Sequence, residues 1–278
     1  MLMVVMDGRK IKQRILDELK EKVSKISDKP SFVVIQVGND TASNTYILQK
    51  KKMALYIGYK FQHIKFSCDV TMDSLLKKIT ELNNDNSVHG IMVQMPLPSH
   101  LDSDIIQNAI LPRKDIDGLC EASMGRLVCG RDALYSCTSS GVMRMLKEYD
   151  ISVVGKHVVV VGRSNLVGKP MAMMLINAGA TVTVCHSMTK DLKKYTKQAD
   201  ILIVAVGKPN FITSSMVKDE VVVISVGINF VNGKIVGDIE YDELCKKASY
   251  ITPTPFGVGP LTVAMLGVNI LKAYMNDR

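Results

Sequence analysis

The 278 residues include 35 lysines and arginines against 27 aspartates and glutamates, a net charge of +8, with 47% apolar and 22% charged residues. That composition excludes a disordered chain, and the length suits two α/β domains, each with its own core. The basic surplus does not read as a nucleic-acid arm, because the lysines are spread through helical stretches and aromatics make up only 5%. It suits attraction of small anionic substrates. Six cysteines, at 68, 120, 129, 137, 185 and 245, show no C-x-x-C and no metal-type pairing with the five histidines. Reduced thiols in a cytoplasmic protein, and no metal centre, are expected. The opening Met1–Asp7 is too short for a secretory leader, and no apolar run approaches the ~18 residues of a membrane span.

In chain order, apolar residues at 11, 15, 16, 19, 23 and 26 have helical spacing with a charged outer face. Ser31–Val37 reads as a buried strand ended by Gly38. A helix capped within Thr41–Thr45 then runs to about Ile57, where Gly58 stops it. Strands are expected at Phe61–Phe66 and Val88–Gln94, and helices at 72–83 and 102–110. Residues 119–140 look irregular. Helix 141–149 leads to the strand His157–Val161, followed by a helix through Ile176 and a strand at Thr181–Cys185. Further strands, Asp200–Val206 and Val221–Val226, each run into a glycine. Tyr250–Pro260 reads as a constrained loop, and a largely apolar helix, Thr262–Tyr274, closes the chain. Alternation of strands and helices at these lengths implies parallel sheets.

The most informative stretch is His157–Pro170. Four consecutive valines predict a strand buried on both faces, followed by Gly162-Arg-Ser164 and a helix that starts near Gly168-Lys-Pro170. A strand, a glycine turn, a helix N-terminus and a second parallel strand form a dinucleotide-binding βαβ unit. The spacing departs from G-x-G-x-x-G: Ser164 takes the second glycine's place, and Gly168 comes one residue late.

Tyr46 and Lys50 are four apart on one helix, followed by Lys51 and Lys52. They fit a solvated basic face, or else a catalytic lysine whose pKa is lowered by desolvation and neighbouring cations, beside a tyrosine that orients substrate. Gln94-Met-Pro-Leu-Pro98 fits a rigid connector or a ligand-binding loop at a strand's carboxyl end. Asp117-Gly118 is a turn signal whose carboxylate could serve its own backbone or a ligand.

Together, Thr45–Lys50, Val93–Pro98, Lys114–Leu119, Gly162–Ser164 with Val167–Pro170, and Ile251–Pro260 resemble the bifunctional methylenetetrahydrofolate dehydrogenase/methenyltetrahydrofolate cyclohydrolase family, in order from Asp7-Gly8 to the last helix. The resemblance implies an N-terminal folate-binding catalytic domain (1–118) and a C-terminal Rossmann-type domain (119–278), with the final helix, about 262–278, packing back on the first. It implies oxidation of methylenetetrahydrofolate to the methenyl form and hydrolysis to formyltetrahydrofolate in the same cleft. Lys50 would be the cyclohydrolase acid and base. Tyr46 would position the folate rings, Gln94 would tune Lys50, and Asp117 would grip the pterin. Pro255, Phe256, Gly259 and Pro260 would contact substrate. A homodimer acting on a folate, with polyglutamate tails drawn in by the positive charge, follows from the same resemblance.

For the cofactor, an NAD site calls for an acid after the second strand of the βαβ unit, where this chain has Cys185-His-Ser187. With no carboxylate there and Arg163 and Ser187 available for a ribose phosphate, NADP is expected. The resemblance adds Ile228 and Thr262 to Gly162, Arg163 and Ser164 as cofactor contacts. Departures from the family pattern are Ser136, Ser139 and Ser140 in the Ser136-Cys-Thr-Ser139 segment, Phe256 in place of glycine, and Leu261 in place of methionine. Phe256 would reshape the folate pocket. Two alternatives stay open: a dehydrogenase with little cyclohydrolase activity, and a non-catalytic nucleotide-binding protein.

Overall fold

A computed structural model describes residues 3–276. In chain order the elements are β1 (Val4–Val5), α1 (Gly8–Ser24), β2 (Ser31–Val37), α2 (Thr41–Ile57), β3 (Lys60–Phe66), α3 (Met72–Asn84), β4 (Gly90–Val93), α4 (Ser103–Asn108), α5 (Glu121–Val128) and α6 (Cys137–Glu148). There follow β5 (His157–Val161), α7 (Gly168–Asn177), β6 (Thr181–Cys185), α8 (Leu192–Thr196), β7 (Ile201–Val204), β8 (Val222–Ser225), β9 (Asn229–Val231), β10 (Lys234–Val236), α9 (Tyr241–Leu244), β11 (Tyr250–Ile251) and α10 (Gly259–Asn276). Among the described residues no helix is long and apolar enough to cross a membrane.

The chain forms two compact units, Gln13–Cys137 with Val263–Arg278, and Met1–Lys12 with Thr138–Thr262. By packing, residues 119–137 group with 13–118, whereas the sequence places a boundary after Gly118. The buried side chains explain the grouping. Asn269 on α10 donates to the carbonyls of both Ile116 and Tyr135, at 2.9 and 2.8 Å, and Asp115 accepts from the backbone of Leu119 and Cys120.

In the unit built mainly from residues 13–137, a three-stranded parallel sheet has the order β3-β2-β4. Strand β2 is central and buried on both faces, as the apolar run Phe32–Ile35 within it requires. The apolar face of α3, Leu75, Ile79 and Leu82, packs on it with Ile91 and Val93 of β4. Helix α2 is capped by Asp40, whose Oδ1 accepts from Ser43 N at 2.7 Å, one residue before the expected cap. It ends at Gly58 in the left-handed conformation.

In the other unit, a six-stranded parallel sheet has the order β1-β11-β8-β7-β5-β6. The valines of β5, which lies between β7 and the edge strand β6, are each buried. Chain order reverses beside β5, with β6 on one side and β7 on the other. Such a switch point leaves a ligand crevice at the strands' carboxyl ends. A hairpin of β9 and β10 turns at Asn232-Gly233, both with positive φ.

The regular elements lie within a few residues of expectation, except that residues 119–140 hold α5 and the start of α6, the strand expected at Val88–Gln94 shortens to β4, and β1, α8, the hairpin, α9 and β11 are additional. Helix α5 contains Gly125, a poor helix former, and is held by Cys120, whose Sγ accepts from Ser123 N.

Candidate functional site

Lys50 sits in the third turn of α2, on its buried face with Ser43, Ile47, Met53, Ala54 and Ile57, and is only 6% exposed. Its Nζ donates to Gln94 Oε1 at 2.6 Å. Gln94 follows β4. Its backbone N–H donates to Ile35 O, and its side-chain amide donates to Met95 O at 2.7 Å, which leaves the side-chain oxygen for Lys50. Ser43 Oγ donates to the same Met95 carbonyl at 3.3 Å. Tyr46, one turn before Lys50, is 40% exposed, and so lies on the rim of the face that buries the lysine.

Asp117 is half-buried and shares this environment. Its loop is shaped by Asp115, a fully buried carboxylate that accepts from Gly118 N, Leu119 N, Cys120 N and Gln107 Nε2 at 2.8–3.1 Å. Gly118 has φ +69, and a side chain there would strike the Tyr135 backbone, so the turn requires glycine. Lys114 is buried and donates to the carbonyls of Leu82 and Asp85. Cys137 Sγ donates to Ile116 O at 3.4 Å.

Burial lowers the Lys50 ammonium's pKa, while the charge of Asp117 pulls it back up. Burial pushes Asp117 up to about 6 against the attraction of Lys50, and the neighbouring Asp115 adds to the push. The Cys137 thiol is likewise held well above its ordinary value by burial. A lysine whose pKa burial lowers, an amide that fixes its direction and a carboxyl pushed up to about 6 nearby form a set that can move protons. Asp115, Cys137, Asn269 and Ser43 escape the sequence reading. Lys114-Asp-Ile-Asp-Gly118 does contain a second aspartate, but nothing local tells which of the two turns inward.

In the other unit, Gly162 ends β5 with φ +120 and donates its N–H to Cys185 O at 2.8 Å. A side chain at Gly162 would collide with Ala205 O, and one at Gly168 with Gly162 O. The two glycines thus bring the head of α7 close against the turn. Ser164 Oγ accepts from Val167 N at 3.2 Å. Arg163 and Ser187 are exposed, and Arg163 Nη2 lies 3.7 Å from Met188 Sδ. That contact brings the guanidinium to the turn His186–Thr189, which contains Ser187 and no carboxylate. Ile228 is part-exposed, with its Cδ1 facing Gly259, and Thr262 Oγ1 lies 3.4 Å from Thr138 Oγ1. Open backbone at a helix head with an exposed cation beside it fits a phosphorylated dinucleotide.

Pro255 and Phe256 in the loop before α10, and Gly259 and Pro260 at its start, belong to this same unit. Phe256 has φ +84, its carbonyl accepts from Gly8 N at 2.8 Å, and its ring lies 4.3 Å under the Arg9 guanidinium. Ser136, Ser139 and Ser140 are buried, Ser139 Oγ donating to Val167 O, and Leu261 is buried against Gly141. Among the described residues no group of three or more histidines, cysteines or carboxylates could hold a metal.

A family model for the catalytic domain of tetrahydrofolate dehydrogenase/cyclohydrolase matches residues 6–117, and the model for that family's NAD(P)-binding domain matches residues 136–278. The chain is 49% identical to the bifunctional protein FolD of Agathobacter rectalis, over 97% of this chain and 98% of that one. It superposes on the crystal structure of the bifunctional FolD methylenetetrahydrofolate dehydrogenase/cyclohydrolase of Campylobacter jejuni with a TM-score of 0.97, 46% identity and 99% of each chain covered. The Trypanosoma brucei methylenetetrahydrofolate dehydrogenase-cyclohydrolase, in complex with NADP cofactor and inhibitor, gives a TM-score of 0.94 at 36% identity, over 99% of this chain and 98% of that one. This chain belongs to the tetrahydrofolate dehydrogenase/cyclohydrolase family. It is an enzyme of two α/β parts, catalytic and NAD(P)-binding.

Proposed function

We propose that this protein oxidises methylenetetrahydrofolate to methenyltetrahydrofolate with NADP, then hydrolyses the product to formyltetrahydrofolate. The observation that carries the reading is the buried Lys50–Gln94 pair beside Asp117. Asp117 accepts the parallel N–H donors of the pterin's amino-pyrimidinone edge, and Tyr46 lies along the ring system. NADP, when bound, would supply the acceptor for hydride from the methylene carbon; because the cation left is shared by two nitrogens, this step asks the protein for placement more than for a base. Hydrolysis does need proton transfer. Water adds to the methenyl carbon as neutral Lys50 takes its proton. The lysine returns that proton to the ring nitrogen as the carbon–nitrogen bond breaks, and the hydroxyl proton leaves to solvent as the formyl carbonyl forms.

Gly162, Arg163, Ser164, Ser187, Ile228 and Thr262 are the residues that hold NADP in this proposal, with Arg163 and Ser187 on the ribose phosphate. The absence of a carboxylate from the turn after β6 supports NADP over NAD. Assignment of Pro255, Phe256, Gly259 and Pro260 to substrate rests on the resemblance alone. The proposal extends to a homodimer acting on polyglutamylated folate, the latter supported by the +8 charge. A cytoplasmic setting is supported by six free thiols.

The test supplies methylenetetrahydrofolate with NADP or NAD and follows reduced cofactor and the methenyl chromophore separately. Reduced NADP without lasting methenyl signal is expected, and absence of reduction with either nucleotide contradicts the assignment.

A further inference from the structure

Asp238 follows β10 and is fully buried. Its Oδ2 accepts from Val206 N and Gly207 N at 2.8 and 3.1 Å, and its Oδ1 from Lys208 N and Asn229 Nδ2 at 3.0 Å each. Three successive backbone N–H groups past the end of β7 therefore close on one carboxylate, together with the side chain that opens β9. The fit is tight, because a side chain at Gly227, just past β8, would collide with both carboxylate oxygens. Asp238 is fixed in turn by its own N–H, which donates to Ser225 Oγ at 3.1 Å, and by its carbonyl, which accepts from Ile212 N.

The side-chain partners all follow the carboxyl ends of β7 or β8, at the edge where an open parallel sheet takes its ligand. The strands are already joined by their own ladders. Ala205, which precedes Val206, presents the carbonyl against which Gly162 packs. Ile228, assigned to the cofactor, lies between Gly227 and Asn229.

We propose that Asp238 is a positioning residue of the cofactor site, holding the ends of β7 and β8 so that the Gly162 turn and Ile228 keep a nucleotide-ready geometry. The proposal rests on the NADP reading above. Asp238 touches no cofactor and acts through the backbone it gathers.

Asp238→Asn tests it at constant shape. Each carboxylate oxygen faces two N–H donors, so either orientation of the amide points its own NH2 at donors. Direct titration with NADPH is expected to show at least tenfold weaker binding than the parent. The KM for NADP should rise by a similar factor, with kcat at saturating NADP within threefold. Asn229→Ala, which removes one donor of four, should weaken NADPH two- to threefold and keeps the test decisive if Asp238→Asn does not fold. Folded variants that bind NADPH as tightly as the parent overturn the proposal, as does a lower Tm with unchanged affinity. A parent protein that binds no NADPH overturns the cofactor reading and this proposal with it.

Discussion

Lys50 Nζ donates to Gln94 Oε1 at 2.6 Å in a buried setting, and the orientation of that amide is set by its own donation to Met95 O. A neutral acceptor thus directs the lysine without adding charge that would hold it protonated. Gln94→Glu would add such a charge. The Lys50 pKa then rises from its lowered position, so the acid limb of methenyltetrahydrofolate hydrolysis should move to higher pH by about one unit, with about tenfold loss where the lysine becomes protonated. A pH–rate profile reads this, and an unmoved acid limb contradicts it.

Asp117, pushed up to about 6, sets a second pH dependence. If its carboxylate grips the pterin, KM for folate should climb by roughly tenfold per pH unit below about 6. Removing the Lys50 cation takes away the interaction that lowers this pKa, so Lys50→Met should move that limb upward. The stability sign is that of a raised carboxyl: its contribution is full below the unfolded value of 3.8 and is lost as pH rises through about 6. Folate titrations from pH 5 to pH 8 check the first statement, and urea unfolding across the acid range checks the second.

Asp115→Asn removes a carboxylate that gathers three backbone N–H groups and Gln107. A loss of about 2–3 kcal/mol in urea unfolding is expected, from buried donors left facing an amide. A raised KM for folate should accompany it, since the loop carries Asp117. Unchanged stability would show that the loop holds its shape without this carboxylate.

Phe256 occupies the left-handed region at φ +84, where a side chain costs about 1 kcal/mol or more. Phe256→Gly and Phe256→Ala both lose the ring and its stacking on Arg9, and only glycine relieves the backbone. The glycine variant should be the more stable of the two by about 1 kcal/mol, the reverse of the usual order. Denaturant midpoints decide it, and an alanine variant of equal or greater stability contradicts the strain.

The parts of the fold legible in the sequence were those whose signal is local. Strands β2 and β5 carry the apolar runs Phe32–Ile35 and Val158–Val161, buried on both faces, and Gly58 ends α2 by a conformation that glycine alone adopts freely. Lys50, Gln94 and Asp117 stood out through short motifs, although their proximity is a property of the fold. Helix α5 was hidden by Gly125 and a short, mixed composition. Asp238 was invisible for another reason: its side-chain partners lie between 9 and 32 residues away, and a lone aspartate between two strands looks like a turn residue. Asn269 binds carbonyls 153 and 134 residues distant, so no sequence window contains both ends.

The most direct test of the central claim supplies Lys50→Met with methylenetetrahydrofolate and NADP, following reduced cofactor and methenyl absorbance together. Continued appearance of reduced NADP with accumulating methenyltetrahydrofolate is the predicted result, because hydride transfer needs no base and hydrolysis does. Formyltetrahydrofolate released at the parent's rate, with no methenyl build-up, would contradict the role given to Lys50.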